Sequence, residues 1–190
     1  MKKSFLLISV CFLVFACVQT TKSVENKDPQ IQSPANTGSS IANQDSKPVT
    51  PDKLLTLPDA EKILGQPAHL ADSSSGRDHN IFTYQCAYKA NAEDTISGKT
   101  GALYFLAEHY SNVSDARKKY SFIKTANENH GIKVLHDLGD EAYFHSDGRN
   151  FYFIMVRKGM RVFNMKVNKI TSATSLDEFN IIAKHITDAL

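Results

Sequence analysis

Tryptophan is absent from the 190-residue chain, and cysteine occurs three times, at Cys11, Cys17 and Cys86. A disulfide-stapled scaffold is thereby excluded, so the chain must be held by a buried apolar core. An excess of either charge is missing too. Lys and Arg total 22 against 20 Asp and Glu, and Lys2 and Lys3 fall in a segment expected to be removed, which leaves 20 of each sign. A balanced chain without a basic run has no phosphate-binding footprint and no polybasic membrane patch, so nucleic acid is not an expected partner. Also missing are a Gly-rich phosphate loop, a G-x-S-x-G frame and any short His/Cys spacing of the zinc type. No cofactor or metal is therefore expected. Hydrophobic residues at 42% and charged residues at 22% leave room for one globular domain of ordinary composition.

One long apolar run is present, at residues 5–15 behind Lys2 and Lys3. A positive start followed by a run too short to span a bilayer permanently is a signal peptide, here residues 1–16. Two processing routes remain open. Val14 and Ala16 suit ordinary signal peptidase, whereas Val14-Phe15-Ala16-Cys17 resembles a bacterial lipobox in which Cys17 becomes the lipidated, palmitate-bearing first residue. The polar segment behind Cys17 favours the lipobox. Residues 18–52 carry Gln, Thr, Ser, Asn, Lys and Pro with scattered apolar residues, too few to offset the entropy of ordering. A coil of this length spans roughly 30 to 35 Å, enough to hold a domain off a membrane. The expected organisation is a signal peptide at 1–16, a lipidated Cys17 with a polar tether through residue 53, and one domain at 54–190.

Within that domain, Pro58-Asp59-Ala60-Glu61-Lys62-Ile63-Leu64-Gly65 reads as a short helix stopped by Gly65. The segment 66–80, with Pro67, three serines and Gly76, reads as a mobile loop. Residues 81–88 alternate, with Phe82, Tyr84, Cys86 and Tyr88 on one side, which predicts a strand with one buried face. A second strand is expected at 102–109 and a helix at 111–129, stopped by Gly131 and carrying Arg117, Lys118, Lys119 and Lys124 on a solvated face. After a short strand at 132–135, Asp147-Gly148 and Lys158-Gly159 mark two hairpin turns. Phe151-Tyr152-Phe153-Ile154-Met155-Val156 is apolar on both sides, so both faces of the sheet need covering there. Ser175-Leu176-Asp177-Glu178 is a capping box that opens a last amphipathic helix. The fold class is α+β, a mostly antiparallel sheet with helices on both faces.

The lipobox Cys17, the helix around Asp59-Ala60-Glu61-Lys62-Ile63-Leu64-Gly65, the Cys86-Ala87-Tyr88 triplet, the Leu138-Gly139-Asp140-Glu141-Ala142-Tyr143 turn and the closing helix together resemble small bacterial lipoproteins with a PsbP-like α/β/α sandwich. The resemblance spans nearly all of residues 54–190. It implies a sheet between helical layers and an envelope or binding module without catalysis, and it brings no catalytic residue. Some members pair two cysteines in the domain; this chain has no second one to pair with Cys86.

Four groups of residues carry candidate chemistry. Cys86 is a nucleophile candidate by type, but its alternation with Phe82, Tyr84 and Tyr88 predicts an inert core thiol. Seven histidines are scattered, and His136 with Asp137, Asp140 and Glu141, or His109 with His136, Asp140 and Glu141, are the groups from which a cation site or hydrolase would have to be assembled. Ser73-Ser74-Ser75-Gly76 reads as loop composition. The seven tyrosines are expected to sit mostly in the core, although an exposed one suits a ligand groove or an interface. The sequence thus points to a lipid-anchored envelope lipoprotein, located outside the cytoplasm, that binds an envelope protein or a small apolar ligand without catalysis. The alternatives are an extracytoplasmic hydrolase and a structural subunit of an envelope complex.

Overall fold

A computed structural model describes residues 53–190; the segment read as a signal peptide, Cys17 and the stretch read as a polar tether lie outside the described residues. Three helices and seven strands follow the order α1 (Leu57–Leu64), β1 (Ala68–Asp78), β2 (Ile81–Ala90), β3 (Ala102–His109), α2 (Val113–Asn127), β4 (Lys133–Leu135), β5 (Glu141–Ser146), β6 (Phe151–Lys158), β7 (Arg161–Asn168) and α3 (Leu176–Ala189). The strands form one sheet in the order β1-β2-β3-β7-β6-β5-β4, and every neighbouring pair is antiparallel. The fold is therefore α+β and dominated by sheet. Among the described residues no helix is long and apolar enough to cross a membrane.

Strand parity explains how the layers are held. In β6, Ile154 and Val156 join Leu103, Phe105, Phe163, Met165 and the α1 and α3 residues Ile63, Phe179 and Ile182 in one core. Met155 points the other way and packs with Tyr143, Val162 and the α2 residues Ala116 and Tyr120 in a second core. The strand apolar on both sides is thus the one that carries helices on both faces, as its composition requires. Cys86, Tyr84 and Tyr88 lie in the α1/α3 core, and Cys86 is 4% exposed.

The helix ends follow local chemistry. Thr56 and Asp59 form a reciprocal capping box at α1, and Gly65 ends that helix in the left-handed region. A Cβ on Gly65 would fall 2.0 Å from the Ala173 carbonyl oxygen, so the close approach of the β7–α3 loop requires glycine. At α3, Ser175 accepts from the Glu178 backbone N–H as the sequence implies. The last turn of α3 carries no basic residue. Its terminal carbonyls are met instead from the β6–β7 hairpin, where Lys158 Nζ donates to the Thr187 oxygen at 2.9 Å and Arg161 donates to the Leu190 oxygen. Two cations from the sheet thus complement the helix dipole.

One expectation is corrected. Residues 66–80 do not form a mobile loop: β1 pairs along its length with β2, from Ala68↔Ala90 to Asp78↔Ile81, with a bulge between Leu70 and Asp72. Only Ala68 of that strand is buried, so no alternation of apolar residues marked it; backbone pairing and the tight turn at His79, whose φ is 50°, hold it in place. The basic residues of α2 lie on its solvated side as expected, with Arg117 and Lys118 exposed, and two of them also reach acidic neighbours. Lys119 Nζ lies 3.5 Å from Glu108 of β3, and Arg117 Nε lies 3.9 Å from Glu141 of β5.

Candidate functional site

The Gly139-Asp140-Glu141 turn is the first place where titratable side chains gather. Gly139 has a φ of 62°, and a Cβ there would stand 2.7 Å from the Arg157 carbonyl oxygen, so the turn lies directly on β6. The Asp140 N–H donates to that carbonyl at 2.8 Å. The Arg157 guanidinium, 2% exposed, donates from Nε to Glu141 and from Nη1 to Asp140 at 2.8 Å. Asp140 also accepts from the Gly159 N–H at 2.8 Å. Both carboxylates of the turn are thus committed to a buried cation, and one of them to a hairpin N–H as well. The arrangement is a clamp that ties β5 to the β6–β7 hairpin.

This geometry locates the residues considered for hydrolysis. His136, Asp140 and Glu141 line one shallow depression of about 250 Å³ with Tyr120 and Lys124. His109 is not among them. It ends β3 on the parity of Leu103 and Phe105, paired with Phe82 and Arg161, whereas Glu141 is paired with Arg157 on the α2 side. Burial, then the charges of Arg161 and Arg77, hold the His109 imidazole below its ordinary value of 6.5. Among the described residues no three His, Cys, Asp or Glu side chains converge as a metal site. The Cys86 thiol is raised above 9.0 by burial, against hydrogen bonds from Tyr84 and Tyr88, which disfavours the thiolate a nucleophile needs.

The tyrosines divide as their positions dictate. Tyr84, Tyr88, Tyr110, Tyr120 and Tyr143 are buried; burial pushes Tyr88 and Tyr143 up to about 12. The Tyr88 hydroxyl donates to the Leu55 carbonyl at 3.0 Å. Tyr104 is different, at 45% exposure.

Its setting is given by the register. α2 packs against β6 and β7 and reaches the end of β3, where Lys119 meets Glu108; no helix among the described residues covers the rest of the same face over β1, β2 and β3. Two rows of side chains cross that bare half-sheet. One runs Asp72, Ala87, Tyr104, Lys166, and the next runs Ser74, Gln85, Leu106, Asn164. Between them lies an open depression of about 440 Å³ lined by Asp72, Gln85, Ala87, Tyr104, Leu106 and Asn164. Ala87 is the small residue that makes room beside the Tyr104 ring. At the rim, Lys166 Nζ stands 5.5 Å from the centroid of Phe151, a cation–π distance. Among the described residues, the side-chain amides of Gln85 and Asn164 have no hydrogen-bond partner.

Sequence reading missed this surface. Its polar members sit on the solvent side of strands and looked like ordinary alternation, and β1, which supplies Asp72 and Ser74, was not recognised as a strand. A third depression, about 320 Å³, lies beside α3 between Leu135, Leu138, Ile154 and Ile181. It is apolar and shallow.

Comparison of the chain with family models, with curated proteins and with solved structures finds no match in any of the three.

Proposed function

We propose that this chain is a lipid-anchored lipoprotein of the bacterial cell envelope, acylated at Cys17, whose domain is a non-catalytic binding module of the PsbP-like α/β/α kind. The observation that carries the binding reading is the bare half-sheet. Among the described residues, a sheet of seven strands is covered by helices on one side and only half covered on the other, which leaves a pocketed face on a packed scaffold, a setting that suits a ligand site. The carboxylates of the Asp140-Glu141 turn are occupied by Arg157, which supports a structural role for them over a catalytic one. Sequence supports the anchor: a short apolar run ends at Ala16-Cys17 and a polar stretch of ~35 residues comes after it.

Growth of producing cells with a labelled fatty acid tests the anchor. Label on the parent chain and none on Cys17→Ala, with the variant lost from the membrane fraction, is the expected result. Label retained by Cys17→Ala removes the anchor. Catalytic turnover by the purified protein, abolished by a single substitution at His136 or Glu141, would overturn the non-catalytic reading in favour of a hydrolase.

A further inference from the structure

The bare half-sheet discriminates among occupants by its chemistry. Its apolar lining is mostly small or belongs to the opposite core: Ala71 and Ala87 are small, and Cys86 and Phe105 are part of the α1/α3 core, which leaves Tyr104 and Leu106 as the large apolar side chains of this face, beside Asp72, Gln85 and Asn164. A protein partner would need about 800 Å² per side with an apolar centre, more than these two side chains supply. A purely apolar ligand would cover the Gln85 and Asn164 amides without satisfying them, and leaving such groups dry and unpaired is unfavourable. A polyanion would meet Asp72 at one end of the row and a single lysine, Lys166, at the other, too little positive charge for a chain of phosphates.

One class remains that needs each group present. A pyranose ring has a C–H face and a rim of neutral hydroxyls that both donate and accept. An aromatic face with its negative quadrupole attracts the C–H face. A planar amide, with two donors and one acceptor, matches a pair of neighbouring hydroxyls. Leu106 lies between the two amides in the register, and Tyr104, in the next row, is the diagonal neighbour of both Gln85 on β2 and Asn164 on β7, within reach of an aromatic side chain. The depression of about 440 Å³ falls in the size range of small-molecule sites.

We infer that this face binds a neutral glycan, with Tyr104 stacking on a pyranose ring and Gln85, Asn164 and Asp72 hydrogen-bonding its hydroxyls. The inference rests on the binding-module reading above and names its ligand class. Lys166, held against Phe151, closes the end of the row away from Asp72.

The test is a titration of the full chain in detergent with two defined probes, a β-linked N-acetylhexosamine hexamer and a β-linked glucose hexamer. Amide resonances and calorimetry are both read. The expected result is saturable binding of at least one probe, with shifts concentrated in β2, β3 and β7. Tyr104→Ala should weaken it by about tenfold, Tyr104→Phe should restore it, and Gln85→Ala should weaken it with the melting temperature unchanged. Binding of neither probe overturns the inference, as does binding that ignores all three variants or shifts centred on α1 and α3. Saturable binding of anionic vesicles or of a fatty acid to this face in place of the glycans also overturns it. Acyl labelling at Cys17 stands apart from this titration: a labelled chain that binds neither probe defeats the glycan and spares the anchor, and an unlabelled chain that binds does the reverse.

Discussion

The two faces of the sheet are built from the same strands and end in different states. On the α1/α3 face, Tyr84, Cys86, Leu103, Phe105, Phe163, Met165, Ile154 and Val156 form one continuous core. On the α2 face, packing is confined to Tyr143, Met155, Val162 and their helical partners, and from β7 outward the face carries Gln85 and Tyr104 exposed and Asn164 half-exposed. The difference teaches which residues hold the fold and which are free to do something else. The first face sets stability; half of the second contributes little to it.

Four variants, two single and two double, sharpen or break that division, from the most damaging to the least. Phe179→Ala hollows the sealed face at a fully buried ring that packs on Phe144 and Tyr152, and about 3–5 kcal/mol should be lost in chemical denaturation. A loss under about 1 kcal/mol would mean that this face is not the core. Gly139→Ala forces a Cβ to within 2.7 Å of the Arg157 carbonyl oxygen at a φ of 62°. It should cost about 2–3 kcal/mol, and an unchanged midpoint would refute the clamp. The pair Lys158→Ala with Arg161→Ala removes both cations from the carboxyl end of α3; about 1–2 kcal/mol is expected, together with faster amide exchange in that last turn. Gln85→Ala with Asn164→Ala should shift stability by no more than about 0.5 kcal/mol per site. A fall comparable to that of Phe179→Ala would show that the bare half is part of the structural core after all.

The legible and illegible parts of the sequence differ for a physical reason. Wherever burial imposed a period, the element could be read: β2 by its alternating Phe82, Tyr84, Cys86 and Tyr88, and α3 by Phe179, Ile182, Ala183 and Ile186, all of which face the core. Turn chemistry was equally direct at Gly148 and Gly159, both at positive φ. β1 left no such trace. An edge strand whose side chains after Ala68 are all exposed is held by its partner's backbone, and Ser73-Ser74-Ser75-Gly76 carries loop composition into a ladder. The candidate site suffered the same fate, since it consists of solvent-side residues from strands brought side by side only by the order β1-β2-β3-β7. The Gly139-Asp140-Glu141 motif was visible as a turn, but its purpose depended on Arg157, a charged residue at the end of an apolar strand whose burial no local pattern announced.

The most direct test of the central claim, that the bare half-sheet is the working surface of an envelope-anchored module, is photo-crosslinking in intact cells from one position on each face. A photoreactive residue in place of Gln85 samples the bare half, and one in place of Ile181, exposed on α3, samples the sealed side. The account predicts an adduct from position 85 that is released by glycan-cleaving enzymes, lost when Tyr104→Ala is added, and not formed from position 181. An adduct from position 181 alone, or one from position 85 that survives glycan cleavage, would contradict it.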